Sequence, residues 1–128
     1  VLRMPFCVDM IQKYADKKPP VGSINYEYNP ELQNLTTLEV YDFIVRAAGE
    51  RGIFVMLDMH RLNGNGQSAL WYDNTHPPSM TNETWITVIS QFTKQWNVFA
   101  VDIYNEPHGA TWGDGNTKTD WTIWVCTS

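Results

Sequence analysis

The sequence predicts an α/β fold in which parallel strands alternate with crossover helices in the order βαβαβ. Two observations carry that reading. The apolar runs Ile53-Phe54-Val55-Met56-Leu57 and Val98-Phe99-Ala100-Val101-Asp102-Ile103 are short, rich in β-branched and aromatic residues, and break off abruptly into polar residues. Such runs are those of strands buried on both faces of a parallel sheet. The segment ahead of each run repeats its apolar residues at helical spacing, which supplies the crossovers that parallel strands require.

Taken in order, Val1-Leu2-Arg3-Met4-Pro5-Phe6 reads as the first strand, beginning as if already inside it. Lys13 to Leu35 is polar and carries Pro19, Pro20, Gly22 and Pro30, so it is expected to be a long excursion from that strand's exit. Thr36 with Glu39 forms a capping-box signature, and Leu38, Tyr41, Ile44 or Val45, and Ala48 then recur on one helical face. A helix over about 37–51 follows. The second strand is expected over 53–57, ending in Asp58-Met59-His60, with a loop from Arg61 to Ser79 that holds Asn63-Gly64-Asn65-Gly66, Trp71-Tyr72 and Pro77-Pro78. Trp85, Val88 or Ile89, Phe92 and Trp96 mark a second helix over about 82–95. The third strand follows at once, then a Gly-rich stretch through Gly115, and Asp120 to Trp124 opens another helix.

Composition narrows the function classes. A hydrophobic fraction of 43% in 128 residues suits one packed domain, and six Trp with six Tyr exceed what a core of that size needs. Aromatic faces stack on flat ligands, sugar rings among them. A net charge of -5 without a basic stripe argues against nucleic acid and against an anionic membrane surface. No apolar run approaches the length of a membrane span, and no signal peptide is visible, although a chain beginning at Val1 is consistent with one already removed. Cys7 and Cys126 make neither a disulfide framework nor a zinc spacing, and their redox state stays open. Asn34-Leu35-Thr36 and Asn82-Glu83-Thr84 fit the N-glycosylation pattern, which matters only in a secreted eukaryotic protein.

The chemistry concentrates after the third strand, in Tyr104-Asn105-Glu106-Pro107-His108. In sheets built from βα units the carboxyl ends of the strands are where ligands bind, so a polar cluster there points to a site. Asn105 and Glu106 are neighbours, and in a regular strand they would point to opposite faces. They share a cleft only if the backbone leaves strand geometry, for which Pro107 supplies a reason. Arg3 lies in a strand expected to be buried and therefore needs a carboxylate partner. Asp58, His60, Glu106 and His108 also allow a metal-site reading, but no two His share a tight ligand spacing, so no metal and no cofactor is expected. Trp71, Tyr72 and Trp112 serve equally well as sugar-stacking platforms or as pins for a long loop.

Four elements in order carry a resemblance: Arg3-Met4-Pro5-Phe6, Leu57-Asp58-Met59-His60, Gly66-Gln67-Ser68-Ala69-Leu70-Trp71-Tyr72, and Asp102-Ile103-Tyr104-Asn105-Glu106-Pro107-His108. Together they resemble glycoside hydrolase family 5, of the cellulase type, up to about Trp121. Thr122 to Ser128 departs from the helix the family continues with, and Trp96-Asn97 makes a shorter link than usual. The resemblance implies a fragment of a (β/α)₈ TIM barrel, a fold of about 250 residues, with residues 1–128 holding strands two to four of a partial catalytic domain. It implies a retaining O-glycosyl hydrolase acting on β-1,4-glucan, with a β-mannanase or other β-glucanase, or a non-catalytic carbohydrate-binding fragment, as alternatives. The Gly66 to Tyr72 element favours glucan.

By the same resemblance Glu106 is the general acid/base, Asn105 hydrogen-bonds a sugar hydroxyl beside the reacting carbon, His60 lines the adjoining subsite as a donor, and Arg3 pairs with the nucleophile. That nucleophile would come from the seventh strand, outside this chain. A retaining mechanism needs two carboxylates about 5–5.5 Å apart, so the 128-residue chain alone is expected to be inactive. Secretion and a polysaccharide partner are implied too, with no nucleic acid and no membrane.

Overall fold

The computed structural model describes residues 1–127. Its elements are β1 (Leu2–Cys7), α1 (Val8–Tyr14), α2 (Thr37–Glu50), β2 (Val55–Arg61), α3 (Pro78–Phe92), β3 (Val98–Asp102) and α4 (Trp121–Thr127), with a 3₁₀ turn at Pro30–Leu32. The strands form one parallel sheet in the order β1-β2-β3, which is the predicted crossover topology. Arg3 pairs with Met56, Pro5 with Asp58, and Asp58 with Asp102, which puts Arg3 one row from Asp58 and Asp102 on the same face of the sheet.

The local signals explain most boundaries. At the start of α2 the Thr36 hydroxyl accepts from the Glu39 N–H at 3.4 Å and the Glu39 carboxylate accepts from the Thr36 N–H at 2.7 Å, so both halves of the capping box form. Helix α3 starts at Pro78, four residues ahead of the expected 82, because a proline's fixed φ and missing N–H suit the first helical turn. Strand β2 differs more: it begins at Val55 and runs through Arg61, so Ile53 and Phe54 are exposed and Asp58 and His60 lie within the strand. Helix α1 was not anticipated. It is one short amphipathic stretch that buries only Val8 and Ile11 and has no side-chain cap, which leaves little periodicity to detect.

The core lies between the sheet and its helices. Phe6 meets Trp85 at 5.3 Å and Tyr41 at 6.2 Å, both edge-to-face, while the Tyr41 hydroxyl donates to the Met4 carbonyl at 2.6 Å. Burial raises the Tyr41 phenol above its ordinary range. Asn97 is buried before β3 and donates from Nδ2 to the Val45 carbonyl at 2.9 Å and the Ile53 carbonyl at 3.2 Å, which ties α2 to the entry of β2. His76 is 3% exposed and bridges Asp9 on α1, 3.0 Å from Nε2, to Asp73, 2.8 Å from Nδ1. That bridge fixes the loop ahead of α3 against α1.

Within the described residues strand β3 is only partly covered: Phe99 is 55% and Val101 43% exposed, and Ile86 and Ile89 of α3 are exposed beside them. The strand is paired on one side only, and among the described residues no element covers its outer flank. Both cysteines are free, Cys7 half-buried and Cys126 exposed.

Candidate active site

The inner face of the sheet carries the polar row. Arg3 Nη2 lies 2.7 Å from Asp102 Oδ2, 2.8 Å from Asn105 Oδ1 and 3.1 Å from Asp58 Oδ1. The first two are hydrogen bonds. The third is an ion contact off the hydrogen-bond axis, which leaves the buried Asp58 Oδ1 without a hydrogen bond. Asp58 Oδ2 is 2.7 Å from His60 Nδ1.

Within the described residues the Arg3 side chain is 38% exposed, on an inner face that none of their elements covers. Among those residues its carboxylate partners are Asp58 and Asp102, which the two-residue period of parallel strands brings onto its own face. The Asp102 hydrogen bond holds the guanidinium pKa above its usual value, with Asp58, Asp102 and Glu106 adding through-space attraction against the desolvation cost. Burial pushes the Asp58 carboxyl up, and the hydrogen bond from His60 and the charge of Arg3 offset only part of that.

His60 is oriented by Asp58. With Nδ1–H donating to that carboxylate, a neutral ring presents Nε2 as an acceptor and only a doubly protonated ring presents a donor there.

Asn105 is fixed at four points. Its N–H donates to the Met59 carbonyl at 3.0 Å, continuing the β2–β3 pairing past Asp102. Its Oδ1 accepts from Arg3, its Nδ2 donates to Gln67 Oε1 at 3.3 Å, and its carbonyl accepts from Gln67 Nε2 at 2.6 Å. Glu106 comes next with φ of 46°, the one non-glycine residue in the left-handed region among those described. Backbone strain of this kind is costly for a side-chain-bearing residue and collects at functional sites. It is also the departure from strand geometry that neighbouring Asn105 and Glu106 require to address one cleft. The turn closes through His108 N–H to the Glu106 carbonyl at 2.7 Å. The Glu106 side chain is exposed.

Other candidates sort out by burial. Trp71 is 2% exposed and stacked on Trp124 at 4.8 Å with 20° between planes, so it pins the loop and docks α4. The Tyr72 hydroxyl donates to the Lys118 carbonyl at 2.8 Å, and Trp112 is 68% exposed. His108 Nδ1 lies 3.1 Å from the Glu106 carbonyl oxygen. Among the described residues no three His, Cys, Asp or Glu side chains are grouped to hold a metal ion. After the site, Asp120 is almost fully buried and accepts from the N–H groups of Gly113, Gly115 and Thr122 and from the Thr122 hydroxyl. These bonds, the Thr122 hydroxyl first, hold its carboxyl well below the usual range.

Sequence reasoning missed Gln67 and the pairing of Arg3 with Asp58 and Asp102. The second had a signal, since acidic residues near the ends of neighbouring parallel strands can share the arginine's face.

A parallel sheet with helices on one side and polar residues collected at its carboxyl ends has the layout of a segment of a (β/α)₈ barrel. The chain belongs to the cellulase family, glycosyl hydrolase family 5, whose family model matches residues 1–126. The match therefore runs into α4, beyond the Trp121 limit expected from the motifs. An endoglucanase of Paenibacillus polymyxa is 36% identical over 124 residues, and the major extracellular endoglucanase of Xanthomonas campestris pv. campestris is 37% identical over 125. These alignments cover 96% and 94% of this chain but 30% and 24% of the relatives. Among solved structures, an endocellulase of Pyrococcus horikoshii complexed with cellotetraose superposes with a TM-score of 0.86 at 36% identity, over 96% of this chain and 35% of that one. The catalytic domain of the Xanthomonas enzyme also gives 0.86, at 34% identity and the same coverage.

Proposed function

We propose that residues 1–128 are part of the catalytic domain of an endoglucanase, holding strands two to four of its barrel and the acid/base of a retaining cleavage of β-1,4-glucan. The observation that carries this is the strained Glu106 directly following a four-point-anchored Asn105, at the end of a barrel strand. Glu106 protonates the departing glycosidic oxygen and then takes the proton of the attacking water. Asn105 and His60 hydrogen-bond the sugar, and Arg3 holds Asn105 and the carboxylates around it. The nucleophile is a second carboxylate of the same enzyme, which the family resemblance places on the seventh strand, outside this chain. The endoglucanase names of the relatives and the cellotetraose of the Pyrococcus complex favour glucan over mannan. Secretion follows the extracellular Xanthomonas relative.

The test is Glu106→Gln in the full-length enzyme. General acid–base help contributes roughly 10²–10⁴-fold, so kcat/KM on cello-oligosaccharides falls by about that factor. On a dinitrophenyl cellobioside, whose leaving group departs without a proton, kcat/KM stays near wild type. Equal loss on both substrates would count against Glu106 as the acid.

A further inference from the structure

We propose that Gln67 is a positioning residue that sets the orientation of the Asn105–Glu106 peptide and, through it, the aim of the Glu106 carboxyl; this rests on the reading of Glu106 as the acid/base. The Asn105 carbonyl and the Glu106 N–H belong to one rigid peptide plane, so turning that plane changes ψ of Asn105 and φ of Glu106 together. Gln67 Nε2 holds the plane by its oxygen at 2.6 Å, at the residue where the chain enters its left-handed conformation. The same amide group accepts from Asn105 Nδ2 at 3.3 Å, so one side chain fixes both the backbone and the side chain of Asn105.

The amide orientations follow from chemistry. Arg3 is a donor only, so Asn105 must turn Oδ1 toward it and Nδ2 away. Gln67 must then face Nδ2 with its oxygen, which directs its own NH₂ at the Asn105 carbonyl. Each orientation dictates the next, from the first strand to the Gln67 loop.

A second bond grips the far end of the same turn. The Gly109 N–H donates to the Ala69 carbonyl at 2.8 Å, and a Cβ at Gly109 would stand 3.1 Å from both that oxygen and the Ala69 Cβ. Residues 67–69 therefore bracket the turn 105–109 at both ends. Yet Gln67 is exposed and packs into no core, so its bonds can be removed with little effect on folding.

The experiment uses Gln67→Ala and Gln67→Glu in the full-length enzyme, with Glu106→Gln as benchmark. The Glu variant keeps the shape but has no N–H to donate, and it sets a carboxylate against a carbonyl oxygen. Misplacing a reacting group by about an ångström can cost roughly 10²-fold. We expect kcat/KM on cello-oligosaccharides to fall about 10–100-fold in both variants, with Tm unchanged and kcat/KM on dinitrophenyl cellobioside retained. Wild-type kinetics in Gln67→Ala, or equal losses on both substrates accompanied by a lower Tm, would overturn the proposal while leaving the Glu106 reading intact. If Glu106→Gln itself shows no leaving-group dependence, the underlying reading fails instead.

Discussion

Arg3 and Asn105, 102 residues apart in the chain, are joined by a 2.8 Å hydrogen bond across the inner face of the sheet. The bond spans from the first strand to the segment leaving the third. The same nitrogen also reaches Asp102 and the fully buried Asp58, so one cation orders three side chains.

Removing that cation should therefore act twice. In Arg3→Met the buried Asp58 loses its ion contact and keeps only the bond from His60, at a cost of about 1 kcal/mol because the guanidinium is partly solvated. Asn105 loses its Oδ1 partner as well, so activity of the full-length enzyme is expected to fall further than stability does. Urea unfolding alongside kcat/KM checks both. Arg3→Lys keeps the charge but on a shorter stem that cannot place its nitrogen where Nη2 stands, and is expected to restore stability more than activity.

The His76 bridge gives a pH dependence with a definite sign. Desolvation lowers the His76 pKa, but the hydrogen bonds it donates to Asp9 and Asp73 outweigh it and the net shift is upward. Its stabilising contribution is fully present below about 6.5, the unfolded value, and is lost as pH rises through the raised folded value. Asp73 goes the other way: burial is outweighed by bonds from His76 and Thr75, which bring it down to about 2. Asp9 is also lowered, against its desolvation, by Lys13 and His76. Those contributions are present above about 3.9 and vanish as pH falls through the folded values. Stability against urea should thus decline on both sides of a mildly acidic plateau. In His76→Gln the decline above neutrality should be absent.

Gly49 in α2 faces Asn97 so closely that an added Cβ would lie 3.0 Å from Asn97 Cγ and 3.1 Å from its Nδ2 and Oδ1. Alanine gains about 1 kcal/mol of helix propensity over glycine. Overpacking costs about 1–3 kcal/mol, and Asn97 cannot yield without straining its two bonds to Val45 and Ile53. Gly49→Ala is expected to be destabilising by about 1 kcal/mol net, read as a lower urea midpoint. An unchanged or raised midpoint would mean that Asn97 gives way freely.

The exposed flank of β3 predicts how the 128-residue chain behaves alone. Phe99 and Val101, with Ile86 and Ile89, present a contiguous apolar surface beside an unpaired strand edge, which favours self-association. Sedimentation velocity is expected to show concentration-dependent oligomers, reduced in Val101→Lys. The same preparation is expected to leave carboxymethylcellulose uncut. A monomer with a sharp thermal transition would contradict the first expectation, and turnover abolished by Glu106→Gln the second.

Much of the fold could be read in advance because its signals are local. Thr36 with Glu39 announces α2, and the run before Asn105 announces β3, without reference to anything distant. Helix α1 escaped because two buried residues make no period. The end of β2 was misjudged because Asp58 and His60 look like loop residues until the inner face of the sheet is known to be polar. The exposure of β3 is a property of what lies beside it, which its own residues do not encode. At the site, Glu106 and Asn105 stood out as a motif, whereas Gln67, though inside the Gly66 to Tyr72 element, meets Asn105 through a bond across 38 positions that no local pattern announces.

The Asp120 clasp bears on how such enzymes could be altered. Its carboxylate satisfies the backbone of Gly113, Gly115 and Thr122, while Thr111 and Asp120 form a bridge, so most of the bonds that shape the 111–120 loop are local, with Tyr72 adding one from outside at the Lys118 carbonyl. A segment that carries its own architecture can be transplanted between relatives as a cassette. Trp112, exposed on it, could then be exchanged for other rings without redesigning the barrel beneath.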